Sequence, residues 1–120
     1  MKRVAIYCRC STSDLKQDVQ SQVDACVKYC EAQGWEYLVF SEYESAFRLK
    51  RRPVFEDVLE KIRLKEFNIL LVYMLDRFSR QKPTQIVTDL HRITDTFGAR
   101  FVSLKEAIDS SQPMWEIVMM

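Results

Sequence analysis

Three stretches hold the residues that could do chemistry. Tyr7-Cys8-Arg9-Cys10-Ser11-Thr12 sets a hydroxyl two positions from a guanidinium. Side chains alternate along an extended strand, so Tyr7, Arg9 and Ser11 share one side, and Cys8 and Cys10 the other. Ser11 is thereby a hydroxyl beside a fixed positive charge. Leu75-Asp76-Arg77-Phe78-Ser79-Arg80 adds one carboxylate and two guanidiniums, and Arg48, Lys50, Arg51 and Arg52 form a basic run. Guanidinium forks match phosphate oxygens two bonds at a time. So dense a cluster repels itself unless an anion lies within it, and phosphate or phosphodiester is the anion that fits best. Each stretch alone has a plainer reading. Ser11, Thr12, Ser13 and Asp14 are all good helix caps. Asp76 and Arg77 could form an ion pair, and the basic run could be a solvated loop. Converging on one edge, they outweigh those readings.

That convergence requires a frame. Val4-Ala5-Ile6-Tyr7-Cys8 reads as a first buried strand. Across 14–33, Leu15, Val19, Val23, Cys26, Val27 and Cys30 recur at helical spacing, and Gly34 stands where a helix-ending glycine belongs. Trp35 to Tyr43 is rich in aromatic and branched residues and reads as a second strand. Pro53 suits the first position of a second helix, with Phe55, Val58, Leu59 and Ile62 as its apolar stripe. Asn68 to Leu75 is a near-continuous apolar run, the mark of a strand covered on both faces in a parallel sheet. Pro83 opens a third helix with Ile86, Leu90, Ile93 and Phe97 on one face and Gly98 at its end. Ala99 to Leu104 is a further strand, and Pro113 opens a last helix that reaches Met120 without a stop signal. The alternation predicts an α/β fold: a mostly parallel central sheet of four to five strands flanked by helices. Function gathers at the carboxyl ends of strands in such sheets, and there the reactive stretches fall.

Composition narrows the classes. The 120 residues are 48% hydrophobic and 29% charged, which supplies a core and excludes a disordered tail. Net charge is +1, yet ten basic and five acidic residues lie between 45 and 82, against two basic and seven acidic between 11 and 44. A chain so divided can hold a polyanion locally while staying neutral overall. No apolar run approaches the ~20 residues that span a bilayer. The amino end lacks the apolar stretch and cleavage site of a signal peptide. A cytoplasmic address with no membrane partner is the expectation. Cys8, Cys10, Cys26 and Cys30 then read as free thiols, and their CxC and CxxxC spacings are not the usual zinc pairing. Two glycines leave no room for a Walker or dinucleotide loop. The single His91 lies mid-helix, away from any Ser-His-Asp set. No carboxylate cluster suggests a metal pair. Phosphoryl transfer here would take its electrostatics from arginine, with no cofactor and no metal.

The sequence resembles the N-terminal catalytic domain of the serine site-specific recombinases, the resolvase/invertase family. The matching pieces are YCRCST at 7–12, Gln17, Gln20 and Gln22, Gly34-Trp35, Arg52-Pro53-Val54-Phe55, Leu75 to Arg80, and Ile108-Asp109-Ser110. They run in the family's order across nearly the whole chain, and the YxRxS and LDRxSR pair is the most specific of them. The resemblance implies that Ser11 is a nucleophile that attacks a DNA phosphodiester, forming a 5′-phosphoserine link and freeing a 3′-hydroxyl. It implies that Arg9, Arg77 and Arg80 bind the scissile phosphate and activate the serine, and that Arg52 also contacts phosphate. Asp76 would orient these arginines or shuttle a proton. Gln22, and Gln17 with it, would lie near the site along the first helix.

The partners implied are duplex DNA and further copies of the chain, a homodimer that becomes a homotetramer during strand exchange. Residues 1–112 would be the catalytic domain, and 113–120 the start of a long oligomerisation helix cut short, with a DNA-binding region beyond it. The cysteine-rich start and the Gly-Trp and Arg-Pro features resemble the large integrase and transposon members. Ser45-Ala46-Phe47 replaces the Ser-Gly often found there, and Met114-Trp115 stands where the family usually carries a glycine. Two other classes fit less well. A non-catalytic DNA-associated oligomerisation module of the same fold would have no need of Ser11 with Asp76 and its arginines. A receiver-type sensor would want an acidic pocket where Arg9 stands.

Overall fold

A computed structural model describes residues 2–11, 16–44, 53–75, 83–113 and 115, with the backbone alone at 10, 11, 16–19, 43, 44 and 83–86. The strands β1 (Arg3–Ser11), β2 (Glu36–Glu44), β3 (Ile69–Val72), β4 (Arg100–Ser103) and β5 (Ile108–Asp109) form one sheet in the order β2-β1-β3-β4-β5. The first four are parallel, and β5 joins β4 antiparallel. The helices are α1 (Lys16–Gln33), α2 (Pro53–Arg63) and α3 (Pro83–His91), the last continuing into a π-helical turn over Arg92–Thr96.

Alternation along β1 divides the core in two. Val4 and Ile6 pack on the α1 side with Cys26, Cys30, Ile69 and Leu71. Ala5 and Tyr7 pack on the other side with Phe55, Val58 and Ile62 of α2 and with Leu90 and Ile93. All four residues of β3 are buried, as a strand covered on both faces requires. Each fully buried Leu or Ile contributes about 1.5–3 kcal/mol of transfer free energy, so the two cores together fix the sheet between its helices.

The predicted α/β architecture holds, with differences at element ends. The apolar run at 68–75 outlasts its strand. β1 accompanies β3 only as far as Leu71 and β4 only as far as Val72, and by Leu75 the backbone is helical. Trp35 precedes β2 and closes α1 instead. Gly34 takes φ 75°, its N–H donates to Glu31 O at 3.1 Å, and the Trp35 N–H donates to Cys30 O at 3.0 Å, a Schellman closure. Gly98 (φ 72°) closes the third helical segment as expected, but the regular helix stops at His91. The strand β5 has two residues, too short to carry a period. It is held by Arg100, which donates to the two Asp109 carboxylate oxygens at 2.9 and 2.6 Å. Burial pushes the Asp109 carboxyl up, but the Arg100 and Ser111 hydrogen bonds outweigh it and hold the group below its ordinary value. The expected last helix lies, apart from Pro113 and Trp115, outside the described residues. Among the described residues no helix is long and apolar enough to cross a membrane.

Cys8, Cys26 and Cys30 are buried, and Cys26 and Cys30 are free thiols. Burial, with Cys30 adding, pushes the Cys26 thiol up to about 12, and burial with Glu31 pushes Cys30 to about 11. The thiolate is the reactive form. Iodoacetamide near pH 8 is therefore expected to spare both in the native protein and to label both in denaturant. Native labelling at free-thiol speed, read by peptide mass spectrometry, would contradict this.

Candidate active site

The connections place a crevice. From β1 the chain steps outward through α1 to β2, then returns across β1 through α2 to β3, so the direction of winding reverses between β1 and β3. Ligand crevices in open α/β sheets form at the carboxyl ends of strands flanking such a reversal. β1 outruns its neighbour there. It pairs with β2 along its whole length, Arg3↔Glu36 to Ser11↔Glu44, but with β3 only over Val4–Ile6. Tyr7 to Ser11 therefore has no β3 ladder on that edge, beside the place where β3 ends and the chain runs on toward Asp76.

Within this stretch the best-described group is a buried carboxylate. Glu42 lies opposite Arg9 in the β1–β2 register, and paired residues of parallel strands project to the same face. Both are buried, at 5% and 8% exposure. Glu42 Oε1 accepts the Tyr7 hydroxyl at 2.6 Å. The backbone N–H of Val54 donates to Oε2 at 2.9 Å, and that of Phe55 to Oε1 at 3.2 Å. Pro53 opens α2 without an N–H to satisfy, so Glu42 takes the next two free amides of that helix. A carboxylate there also meets the positive end of the helix dipole. The Tyr7 ring packs on Phe55, with centroids 5.3 Å apart. One side chain thus ties β1, β2 and the first turn of α2 together, next to Arg52 in the sequence.

Sequence reasoning did not single out Glu42. Its signal was an acid among aromatic and branched residues at a position alternating with Leu38 and Phe40. Glu42→Ala is expected to cost about 2–3 kcal/mol of stability, because a buried hydroxyl and two amides lose their acceptor. Thermal or denaturant unfolding measures this, and a loss under about 0.5 kcal/mol would contradict it.

The remaining site residues divide by location. Arg9 shares the Tyr7 side of β1 by alternation. Ser11 ends β1, with its backbone alone described. Gln22 sits on the α1 side, lining a narrow cleft with Cys8, Val23, Cys26 and Tyr73. Its Oε1 is buried with no hydrogen-bond partner among the described residues. The structure thus puts Arg9 on the same face as the bonded Tyr7 and Glu42 and sets Gln22 across the strand from them. Gln17 lies on α1, its side chain outside the described set. Arg52, Asp76, Arg77 and Arg80 fall outside the described residues.

Comparison with known proteins places this geometry. Residues 4–120 match the family model described as the Resolvase N-terminal domain. The chain belongs to this family. Its fold matches the N-terminal catalytic domain of TP901-1 integrase with a TM-score of 0.80 and 32% identity, covering 98% of this chain and 88% of that one. A resolvase family site-specific recombinase from Streptococcus pneumoniae shares the fold at a TM-score of 0.73 and 20% identity, covering 98% of this chain and 83% of that one. The C-terminal catalytic domain of ISC1926 TnpA, an IS607-like serine recombinase, shares it at a TM-score of 0.70 and 21% identity, covering 85% and 67%. No curated protein matches the sequence. In this Resolvase-family domain the YxRxS strand ends at the β1/β3 reversal, the position the fold reserves for a ligand.

Proposed function

We propose that this chain is the catalytic domain of a serine site-specific recombinase, which cleaves and rejoins duplex DNA through a 5′-phosphoserine at Ser11. The observation that carries this reading is a Resolvase-family chain whose Tyr7-Cys8-Arg9-Cys10-Ser11 strand runs past its β3 partner into the switch-point crevice. Ser11 Oγ attacks the phosphorus and loses its proton, the phosphorus–oxygen bond to the 3′ carbon breaks, and the departing oxygen leaves as a 3′-hydroxyl. Rejoining reverses the step with a 3′-hydroxyl from a new strand. The ester keeps the bond energy, so strand exchange needs no nucleotide hydrolysis. Arg9, Arg77 and Arg80 neutralise charge on the phosphate's non-bridging oxygens, with Arg52 as a further phosphate contact. Asp76 orients these arginines or carries the proton. Gln22 and Gln17 approach the DNA backbone from α1.

The substrate is duplex DNA, held through phosphate contacts that are salt-sensitive and indifferent to sequence. The working unit is a homodimer that pairs into a homotetramer. Residues 1–112 do the chemistry, and 113–120 begin the helix that joins subunits, in the manner of large integrase and transposon members.

The test uses the whole protein and duplex fragments tiled across the DNA flanking its coding sequence, each carrying a nick so that cleavage cannot reverse. After acid quench, a covalent adduct is expected whose peptide mass maps to Ser11, formed equally well in excess chelator. An adduct on another residue, or one that needs a divalent metal, would overturn the reading.

A further inference from the structure

Past β4 the chain turns through residues 104–107 before returning as β5, and this turn is bound to the segment leaving β3. The Leu104 N–H donates to Val72 O at 3.1 Å, and the Lys105 N–H to Tyr73 O at 2.8 Å. Glu106 reaches one step further. The Leu75 N–H donates to both of its carboxylate oxygens, at 3.3 Å each. The fully buried Ser103 donates its hydroxyl to Glu106 Oε1. The Ala107 N–H closes the turn on Leu104 O at 3.1 Å, with Ala107 at φ 56°, in the region that disfavours residues bearing a Cβ. Leu75 packs its side chain against the core.

Strand pairing cannot hold Leu75, since the β1 ladder stops at Leu71 and the β4 ladder at Val72. The Glu106 carboxylate supplies the bonds the sheet no longer offers, and it grips the last amide before Asp76 and Arg77. The Ser103 hydroxyl aims that carboxylate in turn. We propose that Glu106 is a positioning residue for strand cleavage: it fixes the Leu75 amide, the point of the backbone that directly precedes Asp76 and Arg77 in the sequence. This inference rests on the reading of Arg77 as a phosphate ligand. A misplacement of about 1 Å can cost on the order of 10²-fold in rate.

The test pairs cleavage of the nicked duplex with amide hydrogen exchange at Leu75. Glu106→Ala is expected to slow adduct formation about 30- to 100-fold. DNA affinity should stay within about threefold, since the arginine charges remain, and the Leu75 amide should lose its protection. Glu106→Gln retains an acceptor oxygen and should recover both cleavage and protection. If Glu106→Ala fails to fold, Ser103→Ala serves in its place, with several-fold slower cleavage and faster Leu75 exchange expected. Parent-like cleavage and exchange in Glu106→Ala, or in Ser103→Ala where it replaces that variant, would overturn the proposal, as would a Glu106→Gln protein as impaired as the alanine. Arg77→Ala separates this failure from that of the functional reading. If Arg77→Ala cleaves at the parent rate, the reading itself falls. If Arg77→Ala is inactive while Glu106→Ala is normal, the positioning role alone falls.

Discussion

Replacing Ser11 by alanine is expected to abolish the covalent protein–DNA adduct, a loss on the order of 10⁴-fold or more. The size follows from the kind of role. A nucleophile supplies the oxygen that becomes part of the intermediate, and no neighbouring group substitutes for it. Thr12 and Ser13 stand beside it in the sequence, but Ser11 is the hydroxyl that β1 itself carries, two positions from Arg9 and so on its face. Denaturing gels after acid quench read the adduct, and DNA binding by Ser11→Ala should stay near the parent value because the substitution removes no charge. A full adduct from Ser11→Ala would end the assignment. Ser11→Cys is a sharper variant. It keeps a nucleophile of altered size and reactivity, and should give a weaker adduct at the same peptide.

The second large effect concerns Arg9. Arg9→Lys keeps the positive charge opposite Glu42 and removes the planar fork. Arg9 is only 8% exposed and stands in register with a 5% exposed carboxylate, so an uncharged residue there would leave a buried anion ill-matched and confuse folding with chemistry. Lysine avoids that. An ammonium lacks the rigid planar fork that meets two phosphate oxygens in one fixed geometry, so the cleavage rate is expected to fall about 10²-fold. The slope of DNA affinity against salt should barely change, since the number of charges is the same. Cleavage within about twofold of the parent would show that Arg9 acts by charge alone, or only holds the strand.

The tie between Glu42 and Tyr7 and the grip of Glu106 on Leu75 have a common logic. A carboxylate holds a backbone amide just after Arg52 in one case and just before Asp76 in the other. A fixed acceptor limits the directions the backbone can take at the amide it holds. Both acids come from elements distant in the sequence from the amides they hold, so no local pattern announces them.

The chain by itself determined its α/β class, because each element carries its own period: the helical stripe of Phe55, Val58, Leu59 and Ile62, and the unbroken apolar run that becomes β3. It also predicts which residue types gather at the strand ends, since parallel strands send their carboxyl ends one way. The tertiary structure alone decided where each ladder stops, that β5 exists, that Gln22 lies across β1 from Arg9, and that Glu42 and Glu106 are structural acceptors. Those features depend on register between strands and on hydrogen bonds spanning 35 positions, as from Tyr7 to Glu42, or 65, as from Arg3 to Asn68. Hydrophobic period reports the face a residue belongs to, but not the partner it will meet.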